Sequence, residues 1–299
     1  MSAIAQIRAE LRSLVRELGL LDKNCFHSGL SLTQAHLLNY LAKNGQTSFA
    51  ELCRQLNMDK ASLSRTLSVL TAKRYVLPCA APGDRRQKNF HLTLGGEQML
   101  RAADSAADSE LASVEDHLSA QDVEEAVAGL RALRIGAFRR NVGRQPERIC
   151  IDALSDSYRG EVDALLFDTF CTGQNIPPGL LPVAPEHESK WWIARSGELL
   201  LGVAASWRVD GIWHWGRFAV DSKYRRLGVG QRLALASLRE LLVDSDEVII
   251  EARETTVKII SRLGGKTSGP PVDFYGAPVT PMRLVKDEFA AACASLPAP

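Results

Sequence analysis

The spacing of apolar residues changes character once along this chain of 299 residues. Up to residue 141 the apolar positions recur at helical spacing, interrupted only over 75–94, where β-branched, aromatic and turn residues take over. From residue 148 onward they gather into strand-like runs at 149–154, 191–194, 199–207, 212–220, 248–252 and 282–285, several of them separated by helical periodicity. One period cannot serve both halves, so we expect a two-domain α+β chain, which the length also suits. In Asn141-Val-Gly-Arg-Gln-Pro-Glu147 no apolar face continues past Gly143 and Pro146. We draw the boundary there, giving domains 1–145 and 146–299.

Charge divides along the same line. The net charge is +1, yet residues 1–145 carry 19 basic against 15 acidic residues and the remainder 17 against 20. The basic excess is densest over 46–95, with eight basic and three acidic residues, an imbalance suited to a polyanion. The six cysteines include no CxxC pair, and His36, His91 and His117 lack metal-ligand spacing, so neither a metal nor a disulfide framework is expected. No apolar run approaches a membrane span, and residues 1–20 mix apolar residues with five charges instead of forming a leader. A reducing cytoplasm without membrane contact is the expected setting.

In the first half, residues 33–43 place Leu37, Leu38 and Leu41 on one face, and 48–56 do the same with Phe49, Leu52 and Leu56. Asn57-Met-Asp-Lys60 then reads as a turn in which Asp59 caps a third helix running to about residue 74. That helix turns Leu63, Leu67 and Leu70 inward and leaves Lys60, Ser62, Ser64, Arg65 and Ser68 for a major groove, where short hydroxyls approach closely and arginine pairs with guanine. Two strands, 75–79 and 89–94, flank a loop with the turn signal Pro82-Gly83-Asp84. Arg85, Arg86 and Lys88 make this hairpin a basic wing.

The stretch 32–94 resembles the MarR family of bacterial transcription regulators through Asp59-Lys-Ala-Ser-Leu-Ser-Arg-Thr-Leu67, Asp84-Arg-Arg86 and Leu92-Thr-Leu-Gly-Gly96. The resemblance implies a winged helix-turn-helix that binds double-stranded DNA, and long terminal helices that form a homodimer. Helices expected at 3–19, 96–117 and 119–141 agree, the last with Val123, Val127, Leu130, Leu133 and Phe138 along one side.

In the second half a strand ending near Val220 leads through a short loop into Arg225-Arg-Leu-Gly-Val-Gly230, which opens a helix. Glycines let backbone N–H groups close on phosphate oxygens, the helix N-terminus adds partial positive charge, and the arginines add full charges. No Lys-Ser/Thr follows Gly230 and no third glycine completes a dinucleotide fingerprint. With Phe218-Ala-Val220 before it, this turn resembles the GNAT superfamily of acetyl-CoA-dependent N-acetyltransferases over residues 148–286. The resemblance implies a mixed α/β sheet and carries acetyl-CoA binding to Phe218, Ala219, Val220, Arg225, Arg226, Leu227, Gly228, Val229, Gly230 and Gln231.

Acetyl transfer to an amine acceptor, a small molecule or a protein lysine, requires removal of a proton and stabilisation of the oxyanion and departing thiolate. The family's usual acid is a tyrosine at the place where this chain has Ile260, within Lys258-Ile-Ile-Ser-Arg-Leu-Gly-Gly265. His214 on the strand and Glu251 on the next strand are the candidate bases, and Tyr275 in Phe274-Tyr-Gly276 is a candidate acid. The five tryptophans, all between residues 191 and 215, read as sheet core or as lining for the acceptor. The expected function is therefore a DNA-binding regulator fused to an acetyltransferase. Two alternatives stand beside it: a regulator with a non-catalytic acetyl-CoA or small-ligand sensor, and an enzyme whose winged helix only dimerises.

Overall fold

The computed structural model describes residues 2–81 and 84–295, and the side chains of these except 81–87. The chain divides into two compact units, Met1–Arg134 and Ile135–Pro299.

The first unit begins with α1 (Ala3–Glu17), capped by the Ser2 hydroxyl accepting from the Ala5 N–H. None of its residues is buried, and Ile4, Ile7, Leu11 and Leu14 form an exposed stripe spaced three, four and three apart. Next come α2 (Leu32–Asn44), β1 (Thr47–Ser48), α3 (Phe49–Gln55) and α4 (Lys60–Ala72). A capping box between Ser31 and Gln34 starts α2, Ser48 caps α3, and the Asp59 carboxylate accepts from the Ser62 N–H to start α4. The wing follows as β2 (Val76–Ala81) and β3 (Asp84–Leu92), in an antiparallel sheet ordered β1-β3-β2. Both wing strands reach further toward the tip than the loop expected over 80–88, while Pro82 and Gly83 lie outside the described residues.

Two long helices follow, α5 (Leu94–Glu115) and α6 (Ala120–Arg144). The Thr93 hydroxyl caps α5, and two residues into that helix Gly96 passes so close to the start of the wing that a Cβ there would stand 2.2 Å from the Tyr75 carbonyl oxygen. The Thr-Leu-Gly-Gly run is thus a joint between wing and helix. Leu37, Leu41, Leu52, Leu63, Leu67 and Leu70 interlock with Val76, Phe90 and Leu100 as the core of this unit.

The helix α6 ends at Arg144, inside the break expected over 141–147. Its last turns belong to the second unit, because Phe138 and Val142 are buried in that unit's core and the Phe138 ring meets Tyr224 edge-on at 5.0 Å. The remaining elements are β4 (Cys150–Ala153), α7 (Arg159–Leu166), β5 (Ser189–Ser196), β6 (Leu199–Val209), β7 (Ile212–Val220), α8 (Val229–Leu241), β8 (Glu247–Ala252), α9 (Glu254–Arg262), β9 (Lys266–Thr267), β10 (Val272–Phe274), β11 (Ala277–Val285) and α10 (Lys286–Ser295). The sheet runs β10-β11-β8-β7-β6-β5-β4, with β9 paired to β11. Every pairing is antiparallel except that of β7 with β8.

Alternation along the strands sorts two faces. Trp192, Trp213, Trp215, Val248 and Ile250 share a core with Leu233, Leu238 and Leu241 of α8, and Ile193, Val203 and Ala219 share one with Tyr158, Val162 and Leu166 around α7. Three of the five tryptophans are therefore sheet core. Trp191 and Trp207 belong to the α7 side.

Candidate functional site

On α4, Leu63, Leu67 and Leu70 are buried, while Lys60, Ser64, Arg65 and Ser68 are exposed and Ser62 is half-buried. The Ser62 hydroxyl accepts from the Arg65 guanidinium at 3.4 Å and its carbonyl from the Thr66 hydroxyl at 2.9 Å. The Ser62 N–H and hydroxyl hold the Asp59 carboxyl below its ordinary range, keeping the cap ionised. Lys88 is exposed on β3 opposite Ala80. Arg85 and Arg86 lie on the same strand, their side chains outside the described set.

In the second unit, β7 and β8 pair only at Trp213, His214 and Trp215 against Val248, Ile249 and Ile250. Beyond Trp215 they part, so β7 from Gly216 to Val220 keeps β6 on one edge and has no strand on the other among the described residues. A bulge marks the parting: Gly216 pairs with Ala205 and Ala219 with Val203, leaving Arg217 and Phe218 opposite Ala204, with Arg217 at φ 47°.

The strand then runs through Ser222–Tyr224 into α8. Gly228, left-handed at φ 76°, is the N-cap of α8 and offers no side chain to the first turn. The first bond of that helix is Arg232 N–H to the Gly228 carbonyl at 3.0 Å, so the N–H groups of Val229, Gly230 and Gln231 precede it. A Cβ at Gly228 would meet nothing within 4 Å, and one at Gly230 would meet the Phe218 ring at 3.1 Å. The result is an open cradle of donors at a helix N-terminus, which fits a pyrophosphate. Arg226 and Gln231 are exposed there, Leu227 is half-buried, and Val229 is buried in the core behind. Arg225 instead turns back, its Nε donating to the Val220 carbonyl at 3.3 Å.

His214 and Glu251 come onto the same face of the sheet, toward α7, on neighbouring parallel strands with Glu251 two residues beyond the partner of His214. The His214 ring stacks with Trp207 at 6.0 Å between centroids and 16° between planes. Tyr275 lies elsewhere. Tyr275 and Gly276, at φ 52° and 78°, form the two-residue turn joining β10 to β11, and the ring is 45% exposed against Phe274. Ile260 is fully buried, its methyl group filling the space a side chain on Gly265 would need.

Arg217, which sequence reasoning passed over, is a well-connected charge on this face. Its Nε and Nη2 donate to the Leu181 and Leu180 carbonyls at 2.8 and 2.7 Å, and its guanidinium lies 5.0 Å from the Trp207 ring centroid. Burial lowers its pKa and the Glu251 carboxylate works against that shift. Arg253 at the N-cap of α9 was missed likewise. It donates to Gln174 Oε1 at 3.0 Å, to the Phe274 carbonyl at 2.9 Å and to the Ala277 carbonyl. Neither residue sits in a recognisable motif, and their partners are remote in sequence.

Comparison with known families matches residues 28–87 to the MarR family and residues 180–286 to the acetyltransferase (GNAT) domain. No curated protein matches the chain. Among solved structures, Escherichia coli ElaA is 18% identical, covering 45% of this chain and 98% of its own, with a TM-score of 0.41. Apo MarR from E. coli is 19% identical, covering 44% and 98%, with a TM-score of 0.38. BpsR of Bordetella bronchiseptica is 22% identical, covering 43% and 98%, with a TM-score of 0.38.

Proposed function

Since this chain joins a MarR-family domain to a GNAT acetyltransferase domain, we propose that it is a homodimeric, cytoplasmic DNA-binding regulator whose second unit transfers an acetyl group from acetyl-CoA to an amine. The parting of β7 and β8 beside the uncapped first turn of α8 carries the acetyl-CoA assignment. A strand edge without a partner suits an amide-bearing arm, and free N–H groups at a helix N-terminus suit a pyrophosphate. Phe218, Ala219 and Val220 hold the arm, and the turn from Arg225 to Gln231 holds the phosphates. When bound, acetyl-CoA supplies an acetyl group activated as a thioester. The His214 imidazole would take the proton from the acceptor ammonium and a backbone N–H near Val220 would polarise the carbonyl, with the new C–N bond replacing the C–S bond and CoA leaving as the thiolate. Glu251, set against Arg217, is the second candidate base.

DNA binding is assigned to Lys60, Ser64, Arg65 and Ser68, with Ser62 orienting Arg65, and to Arg85, Arg86 and Lys88 on the wing. The exposed stripe on α1 and the exposed Val127, Leu130 and Leu133 on α6 supply the dimer surface.

A second reading is favoured by Ile260, a buried aliphatic residue where the resemblance implies a proton donor. On it, the same turn binds acetyl-CoA as a signal and no transfer follows. Calorimetry of acetyl-CoA with the full chain, run beside release of free CoA in the presence of an amine panel, separates the two. Binding with amine-dependent release supports the enzyme, binding without release the sensor, and absence of binding removes both. Anisotropy with a duplex from its own promoter region tests the regulator.

A further inference from the structure

Residues 173–185 form a run with no charged side chain. Within it, 174–181 is held at both ends by arginines of the sheet. Arg253, directly after β8, takes Gln174 and ties it to the Phe274 and Ala277 carbonyls on either side of the β10–β11 turn. Arg217, raised on the β7 bulge, takes the Leu180 and Leu181 carbonyls. Arg217 stands where β7 leaves β8 and Arg253 where β8 ends, so 174–181 spans the gap between the strands. The segment is also tied back to the π-helical turn Phe167–Thr172 that follows α7, with Asn175 N–H donating to the Cys171 carbonyl at 3.1 Å and Ile176 N–H to the Phe170 carbonyl at 3.0 Å.

Resting on the transferase reading above, we propose that 174–181 is the acceptor-binding wall, that Arg217 and Arg253 are its positioning residues, and that it selects a small amine with an uncharged apolar body over a polycation. A polycation is retained by a cleft of negative field. This wall offers no carboxylate, Glu251 across from it is set against Arg217, and Glu247 further back on β8 is paired with Arg283. What the wall presents is apolar, with Leu180 44% exposed and Pro177 and Pro178 exposed beside it.

The test uses the full chain with saturating acetyl-CoA and four acceptors: 2-phenylethylamine, hexylamine, spermidine and a lysine-rich peptide. The first two should exceed the others in kcat/KM by about tenfold or more, the scale on which an apolar pocket discriminates. Arg253→Gln and Arg217→Lys should raise the acceptor KM about ten- to a hundredfold through a misplaced wall, leave acetyl-CoA affinity unchanged, and speed hydrogen exchange at 174–181. Preference for spermidine or the peptide, or an unchanged KM and unchanged exchange in both variants, overturns the proposal. A wild type that binds acetyl-CoA and acetylates nothing overturns the transferase reading and the acceptor claim together. Exchange at 174–181 then still judges the clamp by itself, faster in the variants if it holds and unaltered if it does not.

Discussion

Replacing Gly228 with alanine separates what the turn does for the fold from what it does for a ligand. The residue sits at φ 76°, and holding an L-residue there costs about 1–2 kcal/mol. No atom of the chain lies within 4 Å of the added Cβ, so packing adds nothing to that cost. For a unit of this size each kcal/mol lowers Tm by roughly 2–4 °C, so the fall expected in the second unit is about 2–8 °C. Affinity should fall further, because the new methyl group stands in the open space before the first turn of α8. Losing one charge-assisted hydrogen bond there costs about 1.5–3 kcal/mol, which weakens Kd roughly 10- to 150-fold. Calorimetry of acetyl-CoA with the full-length variant reads this, beside a thermal melt and DNA anisotropy. Wild-type affinity at a lowered Tm would refute the pyrophosphate assignment and leave the turn a structural joint. Loss of DNA binding in the same variant would refute the claim that the change is local.

Arg85→Ala with Arg86→Ala should weaken binding to all DNA sequences and flatten the salt dependence by about 0.9 logarithmic units for each phosphate left unneutralised; unchanged slopes in a folded dimer would remove the wing from the interface. Arg65→Ala should relax sequence preference instead, read by competition between the promoter duplex and random DNA. His214→Gln should lower turnover by roughly 10²–10⁴-fold with little change in acetyl-CoA binding, and equal rates would take His214 out of the mechanism. Because hydrogen bonds from Ser62 hold the Asp59 carboxyl below its ordinary value, the stabilisation it brings is present above the unfolded-state pKa and is lost as pH falls through the lowered one. The Tm gap between wild type and Asp59→Ala should therefore be flat from neutrality to about pH 5 and close in stronger acid; a gap that already narrows near neutrality would contradict the cap.

Local chemistry was readable where it acts locally. Asp59 announces α4 because an N-cap needs only the next turn, and β7 was legible at 212–220 because its alternating face is buried. Gly228 was legible as part of a glycine turn before a helix for the same reason. The bulge at Arg217 was not, since register is settled by pairing with β6 and leaves no mark in neighbouring residues. Arg253 joins residues 174 and 274, a relation only the folded chain creates. The short β10 is exposed along its length, so it has no hydrophobic pattern to detect. Gly143 and Pro146 marked the end of α6, but the burial of Phe138 and Val142 in the second unit's core rests on partners remote in sequence and left no local mark.

The run of α6 into the second unit has a consequence for how these modules can be recombined. A second unit excised at the compositional break would begin without Phe138 and Val142, leaving the face of Tyr224 bare and a hole in its hydrophobic interior. Any exchange of the first unit for another partner, in the laboratory or by gene rearrangement, has to cut upstream of Ile135 and let the last turns of α6 travel with the second unit.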